Sequence, residues 1–323
     1  MTVHVVATGG TISSHFTPNS DGGGEWSNLT GRQLLDEQGF TDVVVHDVAS
    51  GPSSNLSITD MVAIAEHVRG CFDGGATGVV VVHGTDTLDL SAYVTHLLLG
   101  GSRVLGPVVF TGSMRVHSDP EPDGPANLRD AVAVASSPIV SGVVACLNGV
   151  VHDAPYLNKR TAAAVHAFDS FPFRPIGHVV DGAFVADSVR RSVGPAATGF
   201  AHEVALVSCD PGIDTDDVRR AISGRRGVVV EGFGDLNIPQ RVWGPVYEAA
   251  SNGAMVMVAS RVFTPTLSNE GLELLGVVGA GGLPAQKAMV LVRAALASTA
   301  SLAEAYDFAK AHALGHPEED VLR

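Results

Sequence analysis

The chain has 323 residues, 45% hydrophobic and 17% charged, which is too apolar for a disordered chain and sufficient for a sizeable buried core. Lys and Arg number 20 against 34 Asp and Glu, a net charge of −14; such a surface repels phosphate backbones and anionic lipid, so neither nucleic acid nor a membrane is an expected partner. No 18 unbroken apolar residues occur to span a bilayer, and the widely separated Cys71, Cys146 and Cys209 exclude a disulfide framework and read as reduced, buried thiols.

The first residues, Met1 to Ala7, lack a basic segment ahead of the apolar run and read as a core strand rather than a signal peptide, so cytoplasmic residence is the expectation. Val3 to Thr8 ends at Gly9-Gly10, and Val43 to Val48 is the next short apolar run. Ser57 to Val68 carries Ile58, Met61, Ile64, Ala65 and Val68 at helical spacing. Gly78 to His83 is a strand apolar on both faces, Leu88 to Leu99 a helix, Val108 to Thr111 a strand and Asn127 to Ala135 a helix. This alternation predicts βαβ units and a parallel sheet covered on both sides. The pattern weakens after Ser170, and residues 189–201 mix Gly, Pro and Arg without periodicity. A second βα series follows in Val204–Ser208, Asp216–Ile222, Gly227–Val230, Val242–Ala250 and Met255–Ala259, with a helical region from Pro284 to about Ala311. The expected class is α/β: a parallel-sheet N-terminal domain (1–188), a linker (189–202) and a smaller α/β C-terminal domain (203–323).

Several mechanistic motifs are missing. Without a lysine before Lys159 there is no G-x-x-x-x-G-K-[ST] in the first half, and no G-x-G-x-x-G, G-x-S-x-G or H-E-x-x-H occurs. His4, His15, His46 and His67 show no ligand spacing with a cysteine or carboxylate, and Gly315 and Pro317 break any helix carrying His312 and His316. No metal and no cofactor is expected.

In a parallel sheet the ligand sits at the carboxyl ends of the strands, which here are Gly9-Gly10-Thr11, His83-Gly84-Thr85-Asp86 and Thr111-Gly112-Ser113. Thr11 reads either as a helix N-cap or as a nucleophile approached closely because two glycines precede it. Thr85 and Asp86 read either as caps or as a polar pair in which Asp86 accepts from a ligand amine and Thr85 holds a water or attacks. Lys159 is one of only three lysines; it is either a solvated surface residue or, if partly buried, a base toward a hydroxyl. Lys287 and Lys310 are expected to tolerate methionine with little change in stability. The loop Ser53-Ser54-Asn55 precedes the helix that starts near Ser57.

Taken together, Ala7-Thr8-Gly9-Gly10-Thr11-Ile12, His83-Gly84-Thr85-Asp86-Thr87, Thr111-Gly112-Ser113-Met114-Arg115, Asp123-Gly124-Pro125 with Asn127-Leu128, and Lys159 with Ala167-Phe168 resemble the bacterial-type L-asparaginases. The resemblance continues through Ala259-Ser260-Arg261-Val262 and Gly282-Leu283 with Gln286-Lys287-Ala288, and so spans nearly the whole chain in order. It implies that Thr11 attacks a side-chain amide to give ammonia and an acyl-enzyme, that Thr85, Asp86 and Lys159 form a second triad, and that Ser53, Ser54, Gly84 and Ser113 belong to the substrate site. It further implies a small-molecule substrate, asparagine or also glutamine, and a homodimer or homotetramer. In such an oligomer Glu270 or Glu273 is a candidate residue for a neighbouring subunit's site, beside the plainer reading of an exposed glutamate. The alternatives are a glutaminase-asparaginase, an ammonia-supplying subunit of a tRNA-dependent amidotransferase, and a non-catalytic amino-acid-binding protein that kept the pocket. One departure stands out: the family's loop tyrosine after the nucleophile is missing, the first tyrosine being Tyr93. The loop Ser13 to Arg32 offers Glu25 or Trp26 in its place, and its glycines suit a mobile lid.

Overall fold

The computed structural model describes residues 2–20, 23–100, 106–187, 194–262 and 270–312. The chain divides into two compact units, residues 1–170 with 174–192, and residues 171–173 with 193–323.

The first unit opens with β1 (Val3–Ala7), a hairpin of β2 (Ser14–Pro18) and β3 (Gly24–Asn28), and helix α1 (Gly31–Asp36). It continues with β4 (Val44–Asp47), α2 (Ile58–Asp73), β5 (Gly78–Val82), α3 (Leu88–Leu99), β6 (Pro107–Thr111), α4 (Gly124–Ala135), β7 (Gly142–Leu147) and β8 (Val150–Asp153). Four short strands follow, β9 (Asn158–Lys159), β10 (Phe168–Asp169), β11 (Gly177–Val180) and β12 (Ala183–Ala186). Eight strands form one sheet in the order β12-β11-β8-β7-β6-β5-β1-β4. The run from β4 to β7 is parallel, while β8, β11 and β12 add to it antiparallel.

The all-valine run of β5 has its reason in two cores. Val79 and Val81 pack with Ile64 and Val68 of α2 and Leu88 of α3, whereas Val80 and Val82 pack with Leu34 and Leu35 of α1 and Leu128 and Ala131 of α4. A strand covered on both faces has no solvent side on which to place polar residues. The helix over Ser57–Val68 is longer than its periodicity predicts and ends at Asp73, before Gly74. Its start is fixed by a capping box in which Ser57 and Asp60 satisfy each other's backbone N–H groups.

Two parts of this unit differ from the expectation. The glycine-bearing stretch after Thr11 is a β-hairpin, with Phe16 opposite Trp26 and Thr17 opposite Glu25, rather than an irregular loop; Asp21 and Gly22 at its tip lie outside the described residues. After Ser170 the chain still forms β11 and β12. They form one end of the sheet, β12 at its edge and β11 beside it, with Val180 and Val185 about half exposed, so their sequence lacks the continuous apolar character of the central strands.

The second unit carries a four-stranded parallel sheet in sequential order: β13 (Val204–Ser208), β14 (Gly227–Gly232), β15 (Met255–Ser260) and β16 (Val277–Gly279). Its helices are α5 (Thr215–Ile222), α6 (Gln240–Ser251), α7 (Glu270–Glu273), α8 (Ala285–Ser298) and α9 (Leu302–Ala311). The expected class, a parallel-sheet N-terminal α/β part and a smaller α/β C-terminal part, is the observed one. The segment expected as a linker, 189–202, lies outside the described residues as far as Val193. Its remainder packs on α8, where the Ala201 N–H donates to the Arg293 carbonyl (2.9 Å) and the Arg293 guanidinium donates to the carbonyls of Ala201 (2.7 Å) and His202 (3.0 Å).

Lys287 corrects its expectation. It is 1% exposed on α8, among the largest fully buried side chains, because an i, i+4 position on an inward helix face is buried whatever residue occupies it. Methionine there changes a buried polar group and is not a silent substitution. Lys310 is exposed and pairs with Glu273 at 3.2 Å; the side chain of Glu270 lies outside the described residues. All three cysteines are buried and free. Among the described residues no helix is long and apolar enough to cross a membrane.

Candidate active site

Although the chain runs β1, β4, β5, the strand β1 lies between the other two. Connections therefore leave to opposite sides of β1, and the carboxyl ends of β1 and β5 flank the crevice where open parallel sheets bind ligands. Gly9 and Gly10 have φ of 86° and 95°, a region that L side chains avoid. A Cβ on Gly10 would fall 2.4 Å from Gly84 Cα, so glycine is what lets the two strand ends meet. Thr11 then opens a 3₁₀ turn, Thr11–Ser13, with no side-chain cap bond, so it is not the helix cap that its position also allowed.

A cavity of about 310 Å³ lies at this crevice, and Thr11, Ser53, Gly84, Thr85 and Asp86 line it. Lys159, on β9 opposite Phe168, donates from Nζ to Thr85 Oγ1 (2.9 Å) and to Asp86 Oδ1 (2.9 Å). The Lys159 side chain is 19% exposed and that of Asp86 is 61% exposed, so the pair has one dry and one wet end. Thr85 is buried. Ser53 Oγ accepts from the Thr87 N–H (3.3 Å), and the Ser53 carbonyl accepts from Thr87 Oγ1 (2.9 Å), which ties the Ser53 turn to the end of β5.

Two predicted residues stand elsewhere. Ser54 is exposed and does not line the cavity. Ser113 is buried and donates to Asp123 Oδ1 (2.8 Å). Asp123 also accepts from the N–H groups of Met114 (2.9 Å) and Arg115 (2.8 Å), and Asn127 Nδ2 donates to the Gly112 carbonyl (2.9 Å). Ser113 thus belongs to a network that shapes the turn after β6. The hairpin supplies wall residues that sequence reasoning missed, among them Ser14 and Asn28. Alternating residues on either side of the Gly22-Gly23-Gly24 run were the available signal. Of the two candidates for the vacant tyrosine position, Trp26 lines the cavity and packs at a tilt against Phe16 with ring centroids 5.1 Å apart; Glu25 does not line it.

His83, at the strand end, is fully buried, and desolvation lowers its pKa to about 4. Its Nδ1 lies 2.7 Å from the Gly84 carbonyl and therefore carries the proton of the neutral ring. His152, also buried, is likewise lowered to about 4 by desolvation, with His178 acting the same way and Asp169 opposing. Both pKa values fall below the unfolded value, so the stability these neutral rings provide is complete above about pH 6.5 and is lost as the pH falls toward 4. For His83 the loss reaches about 3 kcal/mol. The unfolding free energy, measured by urea titration at pH 7 and pH 4.5, should therefore depend less on pH in His83→Gln by about 2 kcal/mol or more. Identical pH dependence in both proteins would show that His83 titrates normally.

Among the described residues, the one group of three or more His, Cys, Asp or Glu within reach of a single ion is His4, His46 and Cys71, which does not line the cavity. Sequence spacing gave these histidines no cysteine ligand, yet the fold brings Cys71 near His4 and His46. Strand pairing and helix packing, not sequence spacing, create the approach.

Comparison with known proteins agrees with this layout. Residues 2–190 match the family model described as asparaginase, N-terminal, and residues 203–308 match the glutaminase/asparaginase C-terminal domain. A probable L-asparaginase of Deinococcus radiodurans is 31% identical over 87% of this chain and 87% of its own length. A subunit of the glutamyl-tRNA(Gln) amidotransferase of Metallosphaera sedula is 28% identical over 94% of this chain and 73% of its own. The crystal structure of a probable cytoplasmic L-asparaginase from Campylobacter jejuni superposes with a TM-score of 0.82 at 26% identity, covering 96% of this chain and 99% of that one. With both domain models matched in order over nearly its whole length, the chain belongs to the bacterial-type asparaginase/glutaminase family.

Proposed function

We propose that the protein hydrolyses L-asparagine to L-aspartate and ammonia through a threonine nucleophile and an acyl-enzyme. The observation that carries the reading is the Lys159 amino nitrogen, 2.9 Å from both Thr85 Oγ1 and Asp86 Oδ1, in a cavity whose wall also holds Thr11. A threonine hydroxyl is a weak nucleophile until a base takes its proton. In this reading Thr11 Oγ1 attacks the amide carbon, its proton goes to the departing nitrogen, the C–N bond breaks and ammonia leaves. Water gives its proton to Thr85 Oγ1 as Thr85 passes its own to the neutral Lys159 amine, the resulting hydroxide attacks the ester, and the C–O bond to Thr11 breaks as a proton returns to the Thr11 oxygen. Asp86 accepts from the substrate α-amino group and Ser53 holds its α-carboxylate, so fixing both ends aims the amide at Thr11. Backbone N–H groups at the strand ends receive the developing oxyanion. The proposal includes cytoplasmic residence and a homodimer or homotetramer as the active form.

Ammonia release by the purified chain, with asparagine and with glutamine side by side, tests this. Turnover of asparagine without tRNA or a partner protein is the expected result. Comparable rates on glutamine make it a glutaminase-asparaginase. The similarity to a component of a tRNA-dependent amidotransferase supports a second reading, in which release requires a partner and tRNA. Binding of asparagine with no release would instead leave a binding protein that kept the pocket.

A further inference from the structure

A second cluster of titratable side chains lies toward the amino end of β1, away from the strand end that carries Thr11, and the amide chemistry leaves it unused. The parallel register pairs His4 with Val44 and Val6 with His46. Alternation along the strands then puts His4 and His46 on the same face of the sheet, on diagonal positions. Helix α2 covers that face, and its His67 and Cys71, four residues apart, lie on one side of the helix. His4 Nδ1 and His46 Nε2 are 3.2 Å apart, and one ligand atom each from His4, His46 and Cys71 falls within 4.8 Å of the others. The His67 ring meets His46 edge-on at 4.9 Å between centroids, and its Nε2 is buried without a hydrogen-bond partner. His4 and Cys71 are themselves buried, Cys71 in the apolar core with Val6, Ile64 and Val68.

A partnerless polar atom in such a place costs about 1–3 kcal/mol, so the sequence maintains an arrangement that hydrocarbon packing alone would disfavour. The spacing of the two histidine nitrogens is that of two ligands on one ion. Two nitrogens bound at 2.0–2.1 Å to a tetrahedral ion stand about 3.3 Å apart, and the His4 and His46 nitrogens already do so. Imidazole and thiolate ligands with no carboxylate select zinc and its neighbours over magnesium or calcium.

We propose that His4, His46 and Cys71 bind a zinc-class divalent ion, with His67 turning in to supply the fourth ligand. On binding, the Cys71 thiol releases one proton to solvent as its sulfur bonds the metal. The hydrogen bond between His4 and His46 breaks, and the imidazole that donated it keeps its proton on the other ring nitrogen. The ion ties the edge strand β4 and helix α2 to β1, and because the unfolded chain does not assemble these ligands, binding stabilises the native state. The inference is independent of the amide chemistry.

The test is a titration of the metal-free full chain with zinc at constant pH by calorimetry, and in parallel with cobalt(II) by absorption. The expected result is one zinc per chain, release of a proton, a thiolate-to-cobalt charge-transfer band, and a higher unfolding temperature with zinc. In Cys71→Ser the band disappears, and in Cys71→Ser and His46→Asn zinc affinity falls by at least about tenfold. Should Cys71→Ser fail to fold, His46→Asn and His67→Gln carry the comparison. Wild-type protein that takes up no stoichiometric zinc, or a band and affinity unchanged by these substitutions, overturns the site.

Discussion

Thr11→Ala should slow ammonia release from asparagine by more than about a hundredfold, and Thr85→Ala should do so separately. A hundredfold is about 2.7 kcal/mol of transition-state stabilisation, within what one activated group supplies. The two losses have different origins. Thr11 stands on the cavity wall at the end of β1, preceded by two glycines whose backbone no other residue tolerates without displacing Gly84 or Gly51. Removing its hydroxyl removes the atom that attacks, so no acyl-enzyme forms. Thr85 is buried, and its oxygen accepts from Lys159. Without it the lysine keeps Asp86 but loses its link to the water or hydroxyl that it activates. Steady-state ammonia release, with trapping of the acyl-enzyme by hydroxylamine, separates the cases. Near-normal turnover in Thr85→Ala would remove the second threonine from the mechanism.

Lys159→Met should abolish most turnover while leaving the binding of aspartate, the product, in place. The substitution keeps the length of the side chain and removes the nitrogen that joins Thr85 to Asp86. The contacts proposed for the α-amino and α-carboxylate groups lie on Asp86 and Ser53 and remain. Lys159→Arg should fail as well, since a guanidinium does not give up a proton near neutral pH. Lys310→Met is the control, because that lysine is exposed and pairs only with Glu273 among the described groups; Lys287 cannot serve, being buried. Turnover and calorimetric titration with aspartate, run on all three variants, check this. Retention of most activity in Lys159→Arg would make the residue a fixed charge and would exclude a proton-transfer role.

The central strands and their helices were legible because their composition answers a local requirement. A strand buried on both faces must be apolar throughout, as Val79 to Val82 are, and a helix against it must place apolar residues at helical period, as α2 and α3 do. The strand ends were legible for the complementary reason: small polar residues directly after such runs have no packing role, so Thr11, Gly84, Thr85 and Asp86 stood out before any contact was known. The peripheral strands β11 and β12 were not, because partial exposure removes the constraint that writes the pattern.

What only the tertiary structure decided are relations between residues far apart in the chain. Lys159 and Thr85 are 74 residues apart, and nothing local distinguishes Lys159 from a surface lysine until the β9–β10 pairing aims it at the end of β5. Ser53 and Ser54 are neighbours with the same side chain, yet the turn buries the first and exposes the second. Likewise His4, His46 and Cys71 come from three elements and meet through strand register and the seating of α2, which sequence spacing does not encode. The sequence by itself therefore determined the class of fold, the family and the strand ends at which to look, since burial and backbone freedom act residue by residue. Which of the marked side chains share one cavity, and which make a second cluster, was left to strand order and register, because these set distances across the sheet that no local pattern records.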